Sequence, residues 1–132
     1  MTDLARGLLD TSVVIDLSVV PPESLPRELV ISTLTMAELA AGPHSTDDPA
    51  ERAVRQQQLQ WAESQFDPLP FDAAAARAYG RVYAAVRAAG RSSRRRVDLQ
   101  IAAVAAANGL PVVTRNAEDF AGLEDVVAVV AV

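Results

Sequence analysis

Apolar positions in this chain fall into short unbroken blocks and longer stretches with helical spacing. The blocks read as buried strands: Gly7-Leu8-Leu9, ended at Asp10; Leu29-Val30-Ile31, after a loop punctuated by Pro21, Pro22 and Pro26; Pro111 to Thr114; and the run from Val126 to Val132. Between them, Thr11 and Ser12 begin a turn or helix, and Thr35 to Glu38 opens a helix that Gly42-Pro43 stops. Asp48, Pro49 and Glu51 supply a cap, a first-turn proline and a first-turn acid, which predicts a helix running to about Phe66. A second long helix begins at Asp72, carries Tyr79, Val82, Tyr83 and Val86 on one side, and ends at Gly90 in a left-handed cap. These two are expected to form a hairpin. Residues 91–96 (RSSRRR) read as a basic loop, followed by a helix from about Val97 to Ala107, the Asn108-Gly109 stop, and a short helical turn over Asn116 to Phe120. No repeat or linker interrupts the pattern, so residues 1–132 read as one domain.

Strands that alternate with helices imply an α/β fold with a parallel sheet covered on both faces, because parallel strands need crossovers and these are usually helical. In such sheets the functional crevice lies beyond the carboxyl ends of the strands. Half of the 132 residues are apolar, enough for a core. The apolar runs are too short to span a membrane and the N-terminus lacks a signal-like pattern, so a cytoplasmic protein is expected.

Composition narrows the chemistry. Cysteine is absent, which removes thiolate nucleophiles and thiolate metal sites. All twelve basic residues are arginine; without lysine there is no Walker phosphate loop and no Schiff-base chemistry. The single histidine, His44, leaves no histidine pair for zinc and sits in a surface loop. Carboxylate chemistry remains. The net charge of −5 argues against a general attraction to nucleic acid, so any RNA contact needs a local cationic patch.

The acids fall where the crevice is expected. Asp10 ends the first strand, Glu38 opens the helix after the second, Asp98 lies near the start of the helix leading to the third, and Asn116 and Asp119 follow the third. Convergent carboxylates repel unless they share a cation, and oxygen ligands suit Mg2+, with Mn2+ as a substitute. Such ions bind phosphate oxygens and acidify a water, the chemistry of phosphodiester hydrolysis. Each acid also has a structural reading: Thr35-x-x-Glu38 is a capping box, Asp10 can cap the turn after it, and Asp98 suits the first turn of a helix. Three independent caps have no reason to share one edge of a sheet.

Four segments, 8–16 (LLDTSVVID), 32–42 (STLTMAELAAG), 97–105 (VDLQIAAVA) and 113–120 (VTRNAEDF), resemble the PIN-domain ribonucleases, and within them the VapC toxins of toxin-antitoxin systems. They occur in the family's order and spacing over essentially the whole chain. The resemblance implies a three-layer sandwich around a mostly parallel sheet, and Asp10, Glu38 and Asp98 as ligands of Mg2+ or of its waters. It further implies endonucleolytic cutting of cellular RNA, a homodimer, and a VapB-type antitoxin as partner. Where many PIN domains carry aspartate this chain has Asn116, so Asn116 and Asp119 are given supporting catalytic roles and a second metal ion is left open.

Arg91, Arg94, Arg95 and Arg96 precede Asp98 and are candidates to clamp RNA phosphates, against a plain solvated loop. Arg115 has a similar case, weakened because one arginine can simply pair with a nearby carboxylate. Tyr79, Tyr83 and Trp61 fit packing or a subunit interface better than base stacking. The rivals are a PIN nuclease that processes RNA without being a toxin, a phosphate-receiving signalling domain, disfavoured by the missing lysine, and a binding module whose acids are caps.

Overall fold

The computed structural model describes residues 4–90 and 96–132. Four parallel strands, β1 (Arg6–Leu9), β2 (Glu28–Val30), β3 (Val112–Thr114) and β4 (Val129–Ala131), form one sheet in the order β2-β1-β3-β4. Among the described residues five α-helices accompany it: α1 (Thr11–Ile15), α2 (Thr33–Ala41), α3 (Pro49–Gln65), α4 (Ala73–Ala88) and α5 (Arg96–Ala107). The α/β class, the parallel sheet and its two covered faces agree with the sequence pattern. Among the described residues, no helix is long and apolar enough to cross a membrane.

Period-two alternation sorts the strand residues into two cores. Leu8, Val30 and Val112 face a cluster built with α4 and α5, which includes Val82, Ile101, Val104 and Phe120. Leu9, Ile31 and Val113 point the other way, toward Val13, Val14, Leu39 and Ala62 of α1, α2 and α3. Gly7 lies where the strands approach closely. A Cβ there would come within 2.7 Å of Val113 Cγ2, so only glycine fits unless β3 shifts.

Three expectations change. The helix after β2 begins at Thr33 with Ser32 as its cap, the Ser32 hydroxyl accepting from the Thr35 amide at 3.2 Å. Thr35 is therefore interior and fully buried, and Glu38 lies mid-helix, so the expected capping box does not exist. The hairpin of α3 and α4 is also absent: α3 packs on α2 and the 3-10 turn Gly42–Ser45, whereas α4 packs on α5. The connection explains it. Leu69 continues the sheet edge, its amide donating to Ile31 O and its carbonyl accepting from Thr33 N, both at 2.9 Å, and this carries the chain from one face to the other. Finally, Arg96 belongs to α5 rather than to the basic loop; Arg91, Arg94 and Arg95 lie outside the described residues.

The remaining boundaries follow local chemistry. Asp48 and Asp72 cap α3 and α4 by accepting from the amides of Ala50 and Ala75. Gly109 adopts φ 64° after α5, which turns the chain sharply into β3.

Candidate active site at the carboxyl edge

The strand order reverses direction of growth at β1 and β3: from β1 the chain adds β2 on one side and β3 on the other. In an open α/β sheet this switch point opens a crevice at the carboxyl ends. Asp10 and Thr114 are the residues that occupy it, one just past β1 and the other ending β3.

Asp10 is only 5% exposed, and both its carboxylate oxygens are held. Oδ1 accepts from the Ser12 hydroxyl at 2.5 Å and the Val13 amide at 3.3 Å, and Oδ2 accepts from the Thr114 hydroxyl at 2.6 Å. The aspartate thus does cap α1, as its structural reading holds, yet it also bridges two strands. Burial pushes its pKa above the ordinary 3.8; the hydrogen bonds from Ser12, Thr114 and the backbone of Val13 and Ser12 pull the other way without offsetting the desolvation. A carboxylate in that position gains from a cation brought to it.

Glu38 reaches the same edge from α2. The Thr11 hydroxyl donates to Glu38 Oε1 and lies 3.3 Å from the Thr35 hydroxyl, one turn back on the same face of α2. Thr11 therefore links the residue after Asp10 to Glu38. Asp98, 6% exposed, sits in the first turn of α5, which packs against α2. Asn116 is exposed; its amide donates to Thr114 Oγ1 at 2.9 Å, and its carbonyl accepts from the amide of Asp119 in the 3-10 turn Ala117–Phe120. Phe120 is fully buried among α4 and α5 residues and anchors that turn, an interaction worth roughly 1.5–3 kcal/mol.

Among the described residues, no three acidic, histidine or cysteine side chains close into a ready metal cluster. The donor set still fits a hard divalent ion. Magnesium is commonly held by one or two carboxylates with water and substrate phosphate completing its shell, and Asp10 and Glu38 are oxygen donors on one edge.

A PIN-domain model matches residues 7–125. The chain belongs to the PIN-domain family. It is 37% identical over 97% of its length to Ribonuclease VapC5 of Mycobacterium tuberculosis, covering 95% of that protein. The likeness places this PIN domain with the VapC proteins. The crystal structure of VapBC-5 from the same organism superposes with a TM-score of 0.84 at 34% identity, covering 97% of this chain and 99% of that one. FitAcB from Neisseria gonorrhoeae follows at 0.72 and 28%, covering 92% and 94%.

Sequence reasoning missed the hydroxyls of this PIN domain's site. Thr11, Ser12, Thr35 and Thr114 make its hydrogen bonds, and the visible signal was polar residues placed where buried strands end. Asp16, at the end of the first of the four segments, is the partner of Arg115: Arg115 Nη1 lies 3.2 Å from Asp16 Oδ2, both side chains being well exposed. The Arg115 amide also donates to Ser12 Oγ at 3.3 Å. His44 is exposed, as expected.

Proposed function

We propose that this PIN domain, working as one domain over residues 1–132, is the toxin of a type II toxin-antitoxin system: a Mg2+-dependent endoribonuclease of the cytoplasm, neutralised by a VapB-type antitoxin. The observation that carries it is the Asp10–Thr11–Glu38 constellation at the switch point, on a chain aligned end to end with a VapC ribonuclease. Asp10, Glu38 and Asp98 would hold magnesium, which supplies phosphate binding and an acidified water.

The chain's own groups do the rest. Ser12 and Thr114 fix the Asp10 carboxylate in one orientation, and Thr11 fixes Glu38 beside it, so little reorganisation accompanies charge development at the scissile phosphate. Asn116, whose amide donates to Thr114 Oγ1, and Asp119 would have supporting roles. Arg91, Arg94, Arg95 and Arg96 precede Asp98 and bind the RNA backbone, which a chain of net charge −5 otherwise repels. Arg115 has first to release Asp16, an exposed pair that holds it only weakly.

An apolar trough supports the partner. About 430 Å³ lies between α1 and α3, lined by Val14, Ile15, Leu17, Val54 and Trp61, and a second recess of about 480 Å³ shares Ile15 and Gln58 with it and reaches Glu38. Ile15, Val54 and Trp61 are 47%, 49% and 42% exposed, a cluster that water solvates poorly. An antitoxin segment with an apolar face lying there would end at the active site. A homodimer completes the assembly.

The test is cleavage of total RNA by purified protein with magnesium or with EDTA, wild type against Asp98→Ala. Cutting that needs both the ion and Asp98 is expected. Folded, magnesium-supplied wild type that cuts nothing would falsify the reading.

A further inference from the structure

Outside the carboxyl edge, one recess combines the groups that hold a nucleobase. It measures about 240 Å³ and is lined by Phe71 just before α4, by Ala76 and Tyr79 in the first two turns of α4, and by Arg96 and Gln100 in the first two turns of α5. Phe71 meets Tyr79 edge to face, with ring centroids 6.4 Å apart and planes at 75°. Tyr83 stacks on Tyr79 at 6.4 Å and 27°. Tyr79 is thus braced by two rings, and a braced ring gives up little freedom when a base stacks on it.

The polar lining is equally suggestive. Arg96 is exposed and Gln100 half-buried, and among the described residues neither side chain has an ion-pair or hydrogen-bond partner. A carboxamide offers a donor and an acceptor side by side, the pattern that pairs with a base edge, while a guanidinium suits a phosphate or a ring face. Both polar ends are therefore open to a ligand that enters the recess.

Its place favours substrate. Arg96 and Gln100 lie one turn apart and flank Asp98, so the recess and Asp98 occupy different faces of the same turn, within about one helix diameter of roughly 10 Å. Phe71 follows Leu69 by two residues, and Leu69 is bonded to Ile31 and Thr33 at the carboxyl end of β2. A strand of RNA crossing the catalytic edge can turn one base into this recess.

We propose that the recess is a specificity subsite for one unpaired base of the RNA substrate, stacked on Tyr79 and read by Gln100, with Arg96 on the adjoining phosphate. It rests on the ribonuclease reading above. Single-stranded RNA is commonly recognised by aromatic stacking and base-edge hydrogen bonds, which makes such a subsite the source of sequence preference.

Two measurements test it. In EDTA, NMR titration of the wild-type protein with the four nucleoside 5′-monophosphates, against ribose 5-phosphate, should shift the Tyr79 and Gln100 resonances with nucleotides only. Tyr79→Leu, which keeps apolar packing, and Gln100→Ala should each weaken that binding about tenfold. With magnesium, an abasic residue walked through an oligoribonucleotide should raise KM about tenfold at one position for wild type and leave Tyr79→Leu indifferent there. The subsite is overturned if ribose 5-phosphate shifts those resonances equally, or if both variants keep the wild-type base preference. It is also overturned if the shifts track self-association and Tyr79→Leu merely dissociates a dimer, which would make the recess a contact between copies. A wild type that cuts no RNA defeats the ribonuclease reading and the subsite together; a cutting wild type with unchanged variants defeats the subsite alone.

Discussion

Asp10 carries opposing demands in one side chain. It caps α1 and bridges β1 to β3, yet burial disfavours the charge that the proposed magnesium site needs. Because its pKa is raised in the folded state, its contribution to stability is complete below 3.8 and declines as pH rises through the shifted value. Metal-free wild type should therefore lose stability relative to Asp10→Asn between about pH 4 and neutrality, measured by urea unfolding in EDTA. Magnesium should reverse the order, raising the wild-type melting temperature by a few degrees and leaving Asp10→Asn unmoved, since only a state that binds the ion is stabilised by it. Thr114→Val keeps the shape and removes the hydroxyl that donates to Asp10 and accepts from the Asn116 amide. Its expected cost is about 1–3 kcal/mol in denaturant unfolding, with at least a tenfold loss of cleavage rate. A variant with wild-type cleavage would show that Ser12 and Val13 orient the carboxylate unaided.

At the scale of elements, the site depends on how closely β1 and β3 approach and on where α2 begins. Gly7→Ala should destabilise the protein by about 1–3 kcal/mol, because the added methyl meets Val113 Cγ2 from a neighbouring strand that cannot move freely. Thermal unfolding checks this; an unchanged midpoint would mean that the strands separate easily. Loss of the α4 cap in Asp72→Ala should cost about 1 kcal/mol. Ser32 illustrates why element boundaries matter for function. By capping α2 three residues earlier than the Thr35-x-x-Glu38 pattern suggests, it leaves Thr35 and Glu38 as successive inward positions of one helical face, both within reach of Thr11.

For the whole molecule, the recess that reaches Glu38 and the apolar trough meet at Ile15 and Gln58, so the proposed catalytic edge and the proposed antitoxin contact share a boundary without sharing all their residues. Trp61→Ala and Val54→Asp change residues that line the trough but not the recess that reaches Glu38. Each should abolish capture of a VapB-type antitoxin in a pull-down while leaving RNA cleavage within about twofold of wild type, as expected for a contact outside the reacting centre. Retained capture would move the partner's contact elsewhere on the surface.

The order of strands and helices, the α/β class and the acids at the strand ends were already determined by the sequence, because period-two and period-3.6 patterns, proline stops and capping residues act over a few neighbours. Asp48, Asp72 and Gly90 were legible for that reason. What only the tertiary structure decided depends on residues distant in the chain. The pairing of α3 with α2 rather than α4 follows from Leu69 bonding to β2, and the burial of Asp10 follows from Thr114, 104 residues away. The same holds for Arg115, whose partner Asp16 belongs to another strand-helix unit. Local patterns name the candidates and their caps; the long-range partners of Asp10 and Arg115 form only when the sheet brings β1 and β3 together, since a hydrogen bond reaches about 3 Å and a pairing across 104 residues carries no signature in sequence spacing.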